Sequence, residues 1–134
     1  TYVYGVVPPD STFSSNDLLS STVYPDAVDG SDRVSYGYNR QGQQIRIVDQ
    51  NGTARELVYD KLGRLVIERV VTLGSGVNGA VRRVETVYDS RGRVETRTNY
   101  SAPTGGTIVN QLKYEYDAFG RVTRESQSHS GAVT

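Results

Sequence analysis

Apolar and polar residues alternate with a period of two along most of this chain. In "ELVYDKLGRLVIERVV" (56–71), Leu57 and Tyr59 alternate with Glu56 before a polar interruption, and Leu65 and Ile67 alternate with Glu68 after it. Side chains of a strand point to opposite faces in turn, so this alternation over short runs predicts strands with one more apolar face. It places strands near 64–72, 81–89, 93–100, 107–117 and 121–127, as antiparallel neighbours, and a further hairpin from "VSYGYN" and "QIRIVD". The connections "LGSGVNGA" (73–80) and "SAPTGG" (101–106) have the Gly, Pro and Ser content of exposed loops, and Asn51-Gly52 in "DQNGT" predicts a short turn. Residues 1–33 lack the pattern and predict an irregular lead-in around short strands near 2–7 and 18–24, with Pro8 and Pro9 marking an edge or bend. The lead-in belongs to the same unit as an array over 34–127, followed by a polar tail at 128–134, with no boundary to a second domain.

The interruption itself recurs. "VYDKLGRLVIE" (58–68) returns as "VYDSRGRVET" (87–96) and "EYDAFGRVTR" (115–124). A partial copy, "GYNRQGQQIR" (37–46), keeps Tyr38 and Gly42 but has Asn39 for Asp and Gln43 for Arg. In each full copy Asp opens a four-residue turn and Gly closes it, the preference of a type I turn whose glycine takes positive φ and starts a bulge. Asp60, Asp89 and Asp117 therefore read as turn residues that accept backbone N–H groups, with Gly63, Gly92 and Gly120 closing the tips. The phrase register aligns Tyr38, Tyr59, Tyr88 and Tyr116, and two residues earlier Tyr36, Leu57, Thr86 and Tyr114, on one face. Such a ladder is worth about 0.2–1 kcal/mol per cross-strand pair, and only where neighbouring repeats touch. Arg64, Arg93 and Arg121 would repel one another in a stack unless paired, so they are expected to pair with tip aspartates and carbonyls while their aliphatic stems cover tyrosine faces.

Composition narrows the chemistry. Ten tyrosines stand beside two phenylalanines and no Trp or Met, so tyrosine supplies much of the packing, and fourteen glycines supply turns. Fifteen basic and fifteen acidic residues cancel, which leaves no overall field to recruit nucleic acid or an anionic membrane. The absence of cysteine excludes disulfides and thiolate metal sites. No apolar run approaches the roughly 18 residues that span a bilayer, and the start has neither Met nor a signal pattern, so the chain reads as an excised piece. His129 lies in the polar tail "SQSHSGAVT", and Asp26, Asp29 and Asp32 read as turn residues rather than a calcium loop. No nucleophile elbow or phosphate loop is present, and the acceptor patterns at Asn51 and Asn99 read as accidental. No catalytic, cofactor-binding or metal-ligating residue is assigned.

The phrase resembles the YD repeats, also called RHS repeats: Tyr-Asp, two variable residues, Gly-Arg and an apolar residue. Copies at 59–65, 88–94 and 116–122 match it fully and the copy at 38–44 in part, so the likeness covers about 34–127, and "DQNGT" looks like the Asp-Asn-Gly linkers between such phrases. The resemblance implies hairpins wound into a large hollow β-shell, as in bacterial toxin complexes, secreted toxins and wall-associated surface proteins. It implies an extracellular or surface location. The fold expected is all-β, antiparallel hairpin repeats forming a long twisted sheet or a slab of such a shell. Its structural residues are Tyr38, Gly42, Tyr59, Asp60, Gly63, Arg64, Tyr88, Asp89, Gly92, Arg93, Tyr116, Asp117, Gly120 and Arg121. The expected function is a noncatalytic scaffold. Two further readings are a fibre subunit joined through edge strands, and a glycan- or polyanion-binding module using a Tyr/Arg face. The partners implied are flanking repeats or identical copies, with glycans a further candidate, and neither nucleic acid nor membrane insertion.

Overall fold

A computed structural model describes residues 1–25 and 32–134. Asp26 and Asp29 of the aspartate cluster lie outside the described residues. The strands are β1 (Tyr2–Val6), β2 (Ser15–Val23), β3 (Arg33–Tyr38), β4 (Gln44–Val48), β5 (Ala54–Tyr59), β6 (Leu65–Thr72), β7 (Arg83–Tyr88), β8 (Val94–Tyr100), β9 (Ile108–Tyr116) and β10 (Val122–Ser128). They form one sheet in chain order, each hydrogen-bonded to its sequence neighbours. The all-β, antiparallel hairpin array expected from the alternation is the one observed, and β6 to β10 fall within two residues of their expected ranges. β2, expected near 18–24, spans the nine residues Ser15–Val23: its backbone pairs with β1 from Ser15 onward, although "SNDLLSS" follows no period-two pattern that would reveal it.

The turns follow the chemistry of their residues. At the first full phrase, Gly63 N–H donates to the Asp60 carbonyl at 3.0 Å, Asp60 N–H donates to the Arg64 carbonyl at 2.9 Å, and Gly63 sits at φ 78. That is a type I turn closed by a glycine bulge, and the β7–β8 register shifts by a residue at the equivalent place, between Val87 and Tyr88. "DQNGT" forms the short turn expected of it: Gly52 N–H donates to the Asp49 carbonyl at 3.0 Å, so Asp49 opens the turn and Gly52 closes it, as in the phrases.

The sheet comprises two compact units, Thr1–Leu57 with Val70–Val77, and Val58–Arg69 with Asn78–Thr134. In the first, Val6, Tyr38 and Ala54 are the buried apolar side chains among the described residues. The loop after β1 folds over the end of β3: Ser11, itself buried, accepts the Tyr38 N–H on its hydroxyl at 2.8 Å, and Thr12 N–H donates to the Tyr38 carbonyl at 2.8 Å. Arg46 Nε meets Asp10 at 3.3 Å beside them. The Asp10 carbonyl presses against Gly37 so closely that any Cβ there would overlap it. A second clamp forms where buried Thr53 donates its hydroxyl to Asn51 Oδ1 at 2.6 Å and accepts Gly74 N–H at 3.1 Å.

The second unit has no buried apolar side chain among its described residues. A strand pair with nothing packed on it keeps its side chains half exposed, so cross-strand pairs must hold it. Polar ones contribute: Gln111 Nε2 donates to Thr98 Oγ1 at 2.7 Å, and Asn99 Nδ2 to Asn110 Oδ1 at 2.8 Å.

Gly37→Ala is expected to lower unfolding stability by about 1–3 kcal/mol, the usual cost of overpacking a site that cannot relax. Urea denaturation of the variant checks it, and an unchanged midpoint would mean that the β1–β2 loop is free to lift away.

Candidate functional site

Each full phrase ties its arginine to its own turn. The Asp60 Oδ1 accepts N–H groups from Leu62 at 2.9 Å and Arg64 at 3.0 Å, while Oδ2 accepts Arg64 Nε at 2.7 Å and lies 2.7 Å from Nη2. Asp89 repeats this with Arg91 N–H, Arg93 N–H and the Arg93 guanidinium, and Asp117 with Phe119 N–H, Arg121 N–H and Arg121 Nε. One carboxylate thus closes the turn and fixes the guanidinium in a charge-assisted fork. All three carboxyls ionise below the usual aspartate range, chiefly because the backbone N–H of the arginine four residues on donates to the charged form.

The arginine then reaches the next repeat. Continuing the β6–β7 and β8–β9 registers places Arg64 opposite Tyr88 and Arg93 opposite Tyr116, and each guanidinium carbon lies 4.2 Å from the centre of that ring. In return Tyr88 donates its hydroxyl to the Leu65 carbonyl at 3.1 Å, and Tyr116 to the Val94 carbonyl at 2.6 Å. Neighbouring tips also meet through Arg93 Nη1 on the Asp117 carbonyl at 3.4 Å and Arg91 Nη1 on the Ala118 carbonyl at 3.2 Å. Where aliphatic stems were expected over the rings, the guanidinium carbon lies over each ring face, with the fork to Asp fixing the group at that end of the strand.

The partial phrase keeps the geometry without the charge. Asn39 Oδ1 accepts N–H groups from Gln41 and Gln43 at 3.0 Å each, and Asn39 Nδ2 donates to Gln43 Oε1 at 2.8 Å. Tyr38 donates its hydroxyl to the Leu19 carbonyl at 2.9 Å, the same link backwards that Tyr88 and Tyr116 make. Tyr59 lies in the aligned position, and its phenol is pushed up by burial and by Glu68. Gly42, Gly92 and Gly120 close their turns at positive φ as Gly63 does. His129 is exposed.

Sequence reasoning missed Arg83. It is buried, its guanidinium carbon lies 3.9 Å from the Tyr100 ring centre, Nε pairs with Glu85 at 2.9 Å, and Nη1 donates to the Gly105 carbonyl at 2.9 Å. Counting outward from the Asp89 turn would have found it, since β7–β8 pairing sets Arg83 directly opposite Tyr100. The tyrosine face also forms a trough of about 380 Å³ that includes Tyr88, Tyr114, Tyr116 and exposed Arg97.

The repeated unit is therefore a turn carboxylate, an arginine and the following tyrosine. A family model described as RHS Repeat matches residues 38–77, which hold the partial phrase and the first full one. Residues 38–77 carry an RHS repeat. Comparison with curated proteins returns no match. RHS repeats form a structural repeat family, and the phrases at 88–94 and 116–122, beyond the matched segment, share the hydrogen bonds of the one at 59–65.

The depressed carboxyls fix a pH dependence. The folded tips hold fewer protons than the unfolded chain around the free aspartate value of about 3.9, so their stabilisation is complete above about pH 5 and is lost as pH falls through the folded values. Asp89→Asn is expected to flatten that acid limb in urea titrations while lowering stability at neutral pH. An unaltered slope would show that the tip carboxylate does not sense folding.

Proposed function

We propose that this chain is a noncatalytic YD-repeat scaffold of a bacterial extracellular or surface protein, serving as shell wall or structural module. One observation carries it: the arginines of the first two full phrases are engaged by their own turn carboxylates and by the tyrosines of the phrases that follow. Arg64 and Arg93 each face a carboxylate of their own turn and a ring of the next repeat, which joins hairpins and leaves the phrase little reactive freedom. Acid/base or nucleophilic chemistry needs a group able to change state beside a substrate, whereas Asp60 and Asp89 are held ionised by backbone donors and a guanidinium. The extracellular setting follows from the kind of protein in which RHS repeats occur.

The scaffold predicts that stability is coupled between hairpins. In a double-mutant cycle of Arg93→Ala and Tyr116→Leu, the coupling energy is expected to be about 0.5–2 kcal/mol. Effects that add to within about 0.3–0.5 kcal/mol would remove the inter-hairpin joint on which the scaffold rests.

The trough supports a second function, glycan binding. Sugars stack on aromatic faces, and Arg97 adds an exposed donor beside Tyr88, Tyr114 and Tyr116. Arg97→Ala is expected to reduce retention on acidic-glycan columns with an unchanged melting curve, and full retention would exclude the trough as the binding face.

A further inference from the structure

The first unit leaves space on one face of its sheet where the later repeats are filled. Three residues before the phrase tyrosine the full phrases carry Glu56, Glu85 and Lys113, whereas the partial phrase carries Ser35. Pairing of β2 with β3 sets Ser21 opposite Ser35 and Val23 opposite Arg33, so Arg33, Ser35 and Gly37 alternate onto one face together with Ser21. The loop after β1 comes down on that face through the Asp10 carbonyl at Gly37, and it carries Ser11 into the interior. A hollow of about 200 Å³ is left there, and its lining includes Asp10, Ser11, Ser21, Arg33 and Ser35.

The protein does not use up the donors of this hollow. Ser21 is 7% exposed, yet its hydroxyl makes no hydrogen bond to the described residues. Ser11 is 2% exposed; its oxygen accepts the Tyr38 N–H at 2.8 Å, and its own proton goes to no described residue. Buried hydroxyls are normally satisfied, so these two require polar contents in the hollow. Its volume is far above the roughly 10–15 Å³ that one water needs and below the roughly 300 Å³ of pockets for drug-sized ligands, which suits a small guest. Charge sets the sign of that guest. Asp10 is the one carboxylate among the lining residues, and Arg46 Nε stands 3.3 Å from it, whereas the exposed Arg33 has no ion pair with a described residue.

We infer that the hollow is a binding site for a small oxyanion, a carboxylate or a phosphate, held by the Arg33 guanidinium and by the hydroxyl protons of Ser11, Ser21 and Ser35. The site lies apart from the full phrases and does not depend on the scaffold function. A guanidinium presents paired N–H groups that match carboxylate and phosphate oxygens, and a serine hydroxyl turns to donate without moving its backbone. Ser21 and Ser35 stand on paired strands and Ser11 is pinned by the Tyr38 amide, so these donors are in place before a guest arrives.

The test is to titrate sodium phosphate and sodium lactate separately into the full chain at constant ionic strength, with chloride as the balancing anion, and to follow backbone amide chemical shifts. Saturable shifts are expected at residues 10–11, 20–22 and 33–36. Saturation by phosphate alone assigns a phosphate guest, by lactate alone a carboxylate, and by both the chemistry they share. Arg33→Gln is expected to weaken binding about tenfold or more, as for a lost charge-assisted hydrogen bond, and Ser21→Ala about threefold or more. Arg40→Gln, at an exposed tip arginine outside the hollow, is expected to leave binding unchanged. Should Ser21→Ala not fold, the comparison of the two exposed arginines decides. Shifts that never saturate, that sodium chloride alone reproduces, or that Arg33→Gln leaves intact would overturn the inference and leave the hollow to water. Equal losses from Arg33→Gln and Arg40→Gln would overturn it too, since they would report net charge alone. None of these outcomes touches the scaffold, whose Arg93 and Tyr116 coupling is measured in the second unit.

Discussion

Arg64 and Arg93 each answer to two hairpins at once, through the carboxylate of their own turn and the tyrosine ring of the next strand. In a unit with no buried apolar side chain among its described residues, area-driven burial has little to act on. What remains is contact between neighbours across the strands, and the guanidinium concentrates it where the strands end. Fixing the arginine against Asp removes most of its rotamer freedom when the turn forms, so stacking on tyrosine costs little further entropy. The tyrosine hydroxyl, returned to a carbonyl of the preceding repeat, sets the height at which the ring sits. Turn formation therefore prepares the arginine for repeat stacking, and the Asp117–Arg121 fork stands formed with no tyrosine among the described residues over it.

The first unit solves the same problem differently. Its partial phrase has lost the ion pair, and Asn39 and Gln43 keep only a neutral hydrogen bond in its place. Compensation comes from loops laid over the strands, with Ser11 satisfying the Tyr38 amide and Thr53 bridging Asn51 to Gly74. Close approach of backbone to backbone is the cost, and it explains Gly37 and Gly74, where a methyl group would meet Asp10 or Asn51. The small buried core of Val6, Tyr38 and Ala54 lies in this unit. A repeat that weakens its phrase chemistry thus relies on burial instead.

Much of the fold was legible because the period of two and the Asp-to-Gly turns are local signals. A type I turn with its bulge needs only a carboxylate, a backbone amide and a residue at ease with positive φ, all within five positions of the chain. β2 was harder to read, since Ser15 to Ser21 has no alternation and its pairing with β1 is a matter of backbone alone. Arg83 was hidden for a related reason. Its partners Tyr100, Glu85 and the Gly105 carbonyl come from the paired strand, its own strand and a loop, and become neighbours only when the β7–β8 register is drawn.

By itself the sequence determined the strands of the array, the four phrase tips and the pairing of each arginine with the aspartate four residues before it, since these depend on spacing within a single turn. The tertiary structure decided what each arginine does with its other side. Whether a guanidinium meets a tyrosine, as Arg93 does, or stands exposed at the sheet edge, as Arg121 does, depends on which strand lies alongside. Identical phrases cannot encode that difference, because the partner ring comes from a strand more than twenty residues away and its height is fixed by strand register.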